Sequence, residues 1–386
     1  MMIITKRWTC GSATVLLVVA LLGACWAISH RVGWSGHAVS LWSEKDLPPL
    51  PEEGENGWVL FHSTTAMLGK DIPPHELRDA LDHLEWARAM AFAEPIRQFA
   101  DDPAVRSQNV AAQAALASRR FADACAIDLE ARCRYLELMR LHDLVALSAL
   151  ADALAGHWNE AFARTGNLLR ADLDLMRTSR SAVSALTARR SVRKDLRLVG
   201  VLLDGIESGA PDRLANQRAT LANVGSVLDP GVEPATDVKR AIIAEYVYVT
   251  TAVRRISAGA ASRIGGARWM PLVLDTERTA DLANTYFEAL MWFGESPSTR
   301  EPPALARFSH RHFGWWAYNA GGKLLLDAAL VDLVPAIRDM EKQKVEIVAS
   351  RNALRQRIRA LLEKLPEQPA RKPGNGVPES PRPGER

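Results

Sequence analysis

A chain of 386 residues with 48% hydrophobic and 24% charged side chains carries too much apolar material to be disordered, and 24 glycines and 21 prolines are too few for a collagen-like or low-complexity polymer. Its formal net charge of +3 makes no electrostatic footprint for nucleic acid, and no nucleic-acid partner is expected.

The first element is apolar. Residues 8–29, WTCGSATVLLVVALLGACWAIS, contain no Asp, Glu, Lys or Arg. As a helix they reach about 33 Å, enough to cross a hydrocarbon core of about 30 Å. Lys6 and Arg7 precede the run, while Glu44, Asp46, Glu52, Glu53 and Glu55 lie beyond it, so residues 1–7 are expected in the cytoplasm. Trp8 and Trp26 suit the two headgroup levels. This predicts a single-pass helix in a bacterial inner membrane with the main domain in the periplasm. Two other readings stay open. Leu22-Gly23-Ala24-Cys25 resembles the lipobox of bacterial lipoproteins, in which Cys25 becomes the lipidated first residue. A basic start before an apolar run also describes a cleaved signal peptide, although such runs usually span about 7–15 residues. All three export the remainder of the chain.

Residues 30–56 include DLPPLPEE, whose prolines and carboxylates favour extended, solvated chain, and are expected to form a stalk. Gly57-Trp58-Val59-Leu60-Phe61 is a short apolar run where the folded domain, residues 57–364, begins by docking. From Pro73 the apolar period is helical. Leu77, Leu81, Leu84, Ala87 and Ala91 predict one helix over about 73–100, and an alanine-rich helix runs from Pro103 to about Cys125. The clearest amphipathic stretch is RYLELMRLHDLVALSALADAL, with Leu138, Leu141, Val145 and Ala149 on one stripe broadened by Leu144. Further helices are expected over 161–180, 183–208, 212–228, 236–257, 279–293 and 332–364, the last bending at Pro335. Gly209-Ala210-Pro211 and Asp229-Pro230-Gly231 separate three of them. Residues 258–278 are the least regular interior stretch and the expected place for any subdivision. The tail, 365–386, is too rich in Pro, Gly and charge to pack.

Gly156-His157-Trp158-Asn159-Glu160-Ala161 resembles the turn of a tetratricopeptide repeat, with no second copy. In its layout of anchor, proline stalk and successive helices the chain resembles N-terminally anchored helical proteins of bacterial envelopes. That resemblance transfers no catalytic residue.

Of four cysteines, only Cys125 and Cys133 lie beyond the apolar segment. On one continuous helix they stand about 12 Å apart, too far for a disulfide. A bond therefore needs a break at 126–130, and both a disulfide and two buried thiols stay open.

Chemistry-bearing patterns are sparse. His75-Glu76-Leu77-Arg78-Asp79 has Asp79 where the zinc-protease helix needs its second histidine, and no nucleophile elbow or phosphate loop occurs. Residues 308–323 gather His310, His312, Trp315, Trp316, Tyr318 and Asn319 ahead of a glycine pair, the expected lining of a binding surface. Glu245 sits among apolar residues, where burial raises a carboxyl pKa toward acid–base use. Arg189, Arg190, Arg193, Lys194 and Arg197 form a basic stripe, either facing lipid phosphates or solvated and partly neutralised by Asp195. The pattern predicts an all-α protein: a transmembrane helix and then an irregular helical bundle or short α-solenoid, acting as an envelope scaffold or binding protein. Its expected partners are the membrane and an envelope protein or glycan, with no metal and no cofactor. The alternative is a periplasmic hydrolase using Glu245 with residues 308–323.

Overall fold

The computed structural model describes Leu21 and residues 39–66, 72–118, 120–125, 133–209, 217–229, 238–258, 274–302 and 319–365. The apolar segment with Cys25, the 259–273 stretch, residues 308–318 with their histidines and aromatics, and the 366–386 tail lie outside these, Leu21 excepted. Among the described residues the chain is all-α, and no helix is long and apolar enough to cross a membrane.

The helices are α1 (Gly57–Thr65), α2 (His75–Asp82), α3 (Trp86–Ala91), α4 (Ala93–Asp101), α5 (Pro103–Leu116), α6 (Tyr135–Leu154) and α7 (Trp158–Thr178). Then come α8 (Ala182–Glu207), α9 (Arg218–Val227), α10 (Val238–Ser257), α11 (Thr276–Gly294), α12 (Ala320–Leu330) and α13 (Leu333–Lys364). Local chemistry sets their ends. Asn56, Asp102, Ser181 and Asp275 turn side-chain oxygens onto the first N–H groups of α1, α5, α8 and α11, satisfying donors that a first turn leaves unpaired. Between α6 and α7, Gly156 adopts φ 87° and the His157 N–H returns to the Asp152 carbonyl at 2.8 Å. This Schellman closure favours glycine, because a Cβ is strained at that φ.

Two large apolar cores result, with a small third cluster of Val253, Ile256 and Leu274. The first joins α1 to α9 with the C-terminal half of α13, around Leu141, Leu144, Phe162, Leu169, Val199 and Leu202. The second joins α10, α11, α12 and the N-terminal half of α13 to the first turn of α8, around Ile242, Tyr246, Phe287, Phe293 and Ile337. With 26 and 32 residues, α8 and α13 run through both cores. The change of core thus falls ahead of Val238, N-terminal to residues 258–278, where a subdivision was expected.

Several expectations shift. The single helix over 73–100 is three, because the chain turns where Leu84 is buried and again at Phe92, which lets Trp86 lie over Gly205. A Cβ on Gly205 would stand 2.7 Å from that indole. Helix α5 stops at Leu116, and Cys125 and Cys133 are disulfide-bonded with Cα atoms 5.9 Å apart. Pro335 lies in the first turn of α13, where its missing N–H breaks no bond and forces no bend.

The largest departure is the stalk. Residues 39–57 lie against the bundle as a strap. Leu41 N–H donates to the Tyr246 hydroxyl at 3.0 Å, Asn284 Nδ2 donates to the Val39 carbonyl at 2.9 Å, and Glu44 pairs with Arg180. Leu47 is buried in the second core, and Trp42 meets the Tyr246 ring edge-on at 5.2 Å. At the far end Asn56 is buried, bonded to the Ala122 carbonyl and N–H at 2.9 and 3.0 Å. The prolines that read as solvated chain are held because apolar and hydrogen-bonding anchors flank them.

Candidate functional site

Of the aromatic and histidine stretch, His310, His312, Trp315, Trp316 and Tyr318 lie outside the described residues. Asn319 is described, and its side chain is engaged in the fold. It is buried at φ 47°, its Oδ1 accepts from the Asp275 N–H at 2.9 Å, and its Nδ2 donates to Thr279 Oγ1 at 3.0 Å. It ties the start of α12 to the start of α11. Glu245 accepts the Ala182 N–H at 3.1 Å, a free donor at the N-terminus of α8. Burial pushes its carboxyl up, and that N–H pulls it partly back.

The basic stripe of α8 divides: Arg190, Arg193 and Arg197 keep solvent exposure, while Arg189 is buried and Lys194 nearly so. Arg189 is fully buried and donates to the Ala185 carbonyl at 3.2 Å. Arg193 pairs with Glu346 at 2.7 Å, Lys194 reaches Asp82 at 3.0 Å and Asp143 at 2.9 Å, and Arg197 donates to the Asp82 carbonyl. These cations fasten α2, α6 and α13 to α8. Asp195, expected to neutralise the stripe, faces the other way and has no exposed surface.

What Asp195 faces is the chemical feature of the first core. Helix α6 is buried on every side from Leu141 to Leu150, so His142 and Asp143 cannot reach water by rotating. Helices α7 and α8 pack on it and bring Asp172 and Asp195 to the same imidazole. His142 Nε2 lies 2.8 Å from Asp195 Oδ1 and 3.2 Å from Asp172 Oδ2, and Nδ1 lies 3.6 Å from Asp143 Oδ1. Burial alone would depress the imidazole, but Asp195 and the two other carboxylates hold it well above its ordinary value. Burial likewise opposes ionisation of Asp143, yet His142 and Lys194 hold its carboxyl low. For Asp195 burial prevails, reinforced by Asp172 alongside it, and its carboxyl is pushed well above the usual carboxylate range. Directly outside, Asp143 and Lys194 form the floor of a cleft of about 200 Å³ walled by Met139, Arg140 and Arg190.

Sequence reasoning passed over this cluster because its members are distant in the chain and each reads as an ordinary helix residue. The signal was the pair His142-Asp143 inside RLHDLVALSAL, where apolar residues on every side leave no solvent face for either.

A second feature is wider. Between the strap and helices α7 and α10 lies a groove of about 550 Å³, walled by Pro48 to Pro51 and Phe121 and lined by Arg120, Arg177 and Arg240 together with Asp174, Glu52 and Glu55. Its mixed charge and proline wall give it donors and acceptors above an apolar floor. Compared with family models, curated proteins and solved structures, the chain matches none.

Proposed function

We propose that the protein is a single-pass, inner-membrane-anchored helical binding module of the bacterial envelope, its main domain in the periplasm and its strap groove the place where a partner protein segment is held. The observation that carries this reading is the strap. If residues 8–29 span the bilayer, only residues 30–38 separate the membrane from the first anchored residue, Val39, a reach of at most about 35 Å. The domain then works close to the membrane surface, and the groove lies along the chain that emerges from it. The Cys125–Cys133 bond supports export, since disulfides persist in oxidising compartments. Arginines and carboxylates beside prolines suit an extended polypeptide, whose backbone offers acceptors and donors in turn.

Two measurements test the reading. Alkaline phosphatase fused after residue 60 is expected to be active; an inactive fusion with an active cytoplasmic reporter would overturn the orientation. A photoreactive residue replacing Leu50, which is exposed on the groove wall, is expected to cross-link one discrete envelope protein. Cross-linking should disappear in the Arg120→Glu/Arg240→Glu variant, and cross-links that persist unchanged there would remove the groove from the proposal.

A further inference from the structure

Two carboxylates converge on one ring nitrogen in the first core. Nε2 of His142 carries at most one proton, and its hydrogen bond is to Asp195 Oδ1. Asp172 Oδ2 and Asp195 Oδ2 are buried and have no hydrogen-bond partner among the described residues. Buried carboxylate oxygens left without donors are costly, so each needs an explanation. The donor atoms of His142, Asp172 and Asp195 all lie within 4.8 Å of one another. A four-coordinate ion with bonds of about 2.0–2.1 Å sets its ligands about 3.3 Å apart. The 3.2 Å between Nε2 and Asp172 Oδ2 already has that spacing, and the 2.8 Å to Asp195 Oδ1 needs a small opening. On the opposite ring edge Asp143, held by Lys194, occupies the place where a ligating imidazole keeps an orienting carboxylate.

We propose that His142 Nε2, Asp172 and Asp195 form a binding site for one divalent transition ion of the zinc class, with Asp143 as the positioning residue on Nδ1. One imidazole and two carboxylates suit zinc better than magnesium or calcium, which prefer all-oxygen shells. Burial among α6, α7 and α8 suits an ion that ties helices together. The site is independent of the strap groove and stands or falls separately from it.

The test uses the full chain in detergent, stripped with a chelator and titrated with zinc against a competing chromophoric chelator. One zinc per chain is expected, with a rise in Tm. Asp172→Asn and Asp195→Asn should each weaken binding by at least about 100-fold, beyond the 10–100-fold typical of losing an outer partner, and should abolish the Tm rise. Circular dichroism checks that the variants fold. If neither does, Asp143→Asn, which leaves all three ligands in place, should still weaken binding by about 10–100-fold. No zinc bound by folded wild type overturns the proposal and leaves the cluster to a shared proton. Equal binding by wild type and the variants also overturns it, as the mark of an adventitious surface ion.

Discussion

The two cores share two long helices and differ in how they balance their buried polar groups. The first is packed with leucine and alanine and encloses charge: His142, Asp143, Asp172 and Asp195 are all buried in it. The second is smaller, with Tyr246 edge-on to Phe287 at 5.3 Å, and Tyr246 and Glu245 in it lean on neutral partners. There the Tyr246 hydroxyl donates to Asn284 Oδ1 at 2.6 Å and accepts from the strap, while Glu245 takes a backbone N–H. Charge balanced by charge couples residues, because removing one strands the other in a medium that cannot solvate it. Charge balanced by a dipole does not. The first core should therefore be the more fragile to single polar substitutions.

His142→Ala is the sharpest way to break that contrast. In chelator-treated protein it leaves Asp172 and Asp195 facing each other and deprives Asp143 of one of its two cations, so unfolding in urea should show a loss of about 3–5 kcal/mol. Adding Asp195→Asn should recover part of the loss, because it removes the stranded carboxylate. If the double variant is no more stable than His142→Ala, the penalty comes from the cavity and the electrostatic contrast between the cores fails.

The disulfide sharpens the contrast from another side, since it closes the edge of the first core and the second has no covalent tie among the described residues. Cys125 comes two residues after Asp123, which is fully buried and accepts the Tyr135 hydroxyl at 2.9 Å. With a sequence separation of 8, the chain-entropy account gives about 2.5 kcal/mol for the bond. Cys125→Ser/Cys133→Ser should lose about that much, and reduced wild type should lose the same. A loss below about 0.5 kcal/mol would mean the bond constrains nothing that the anchors at Asn56 and Tyr135 do not already hold.

Helix class and most helix spans were legible because apolar spacing and caps are local. The 182–207, 238–257 and 333–364 helices fall within three residues of expectation, each bounded by Ser, Gly, Pro or Asp. The strap was not legible, because DLPPLPEE is solvated by composition and the anchors flanking it, Tyr246, Asn284, Arg180 and Ala122 among them, lie 66 to 245 positions away. Helix α12 was hidden for the same reason: residues 308–323 read as the lining of a binding surface, whereas Asn319, bonded to Asp275 and Thr279, anchors the start of a helix. The charged cluster was the least legible. Four unremarkable polar residues become one feature only after α6, α7 and α8 pack. The basic stripe was legible as residues and, at Arg190, Arg193 and Arg197, as surface; its ion pairs were not, because their carboxylates lie on α2, α6 and α13.

The smallest effect concerns Glu245, where the second core puts its dipole strategy to a pH test. Its folded carboxyl sits above the ordinary glutamate value because burial outweighs the Ala182 N–H. The folded state therefore holds the proton more tightly than the unfolded chain does. The contribution to stability is complete below the ordinary value and is lost as pH rises through the raised one. Glu245→Gln has no proton to lose, and its amide oxygen can still accept the Ala182 N–H. The variant should gain on wild type as pH climbs through that window, then keep a constant margin smaller than either effect above, read as the difference in urea midpoint across the pH series. A variant that is instead less stable by the same amount at every pH would mean that the free N–H groups of α8, at the positive end of its dipole, favour the charged carboxylate enough to cancel its burial. The second core would then balance charge as strongly as the first, by geometry alone.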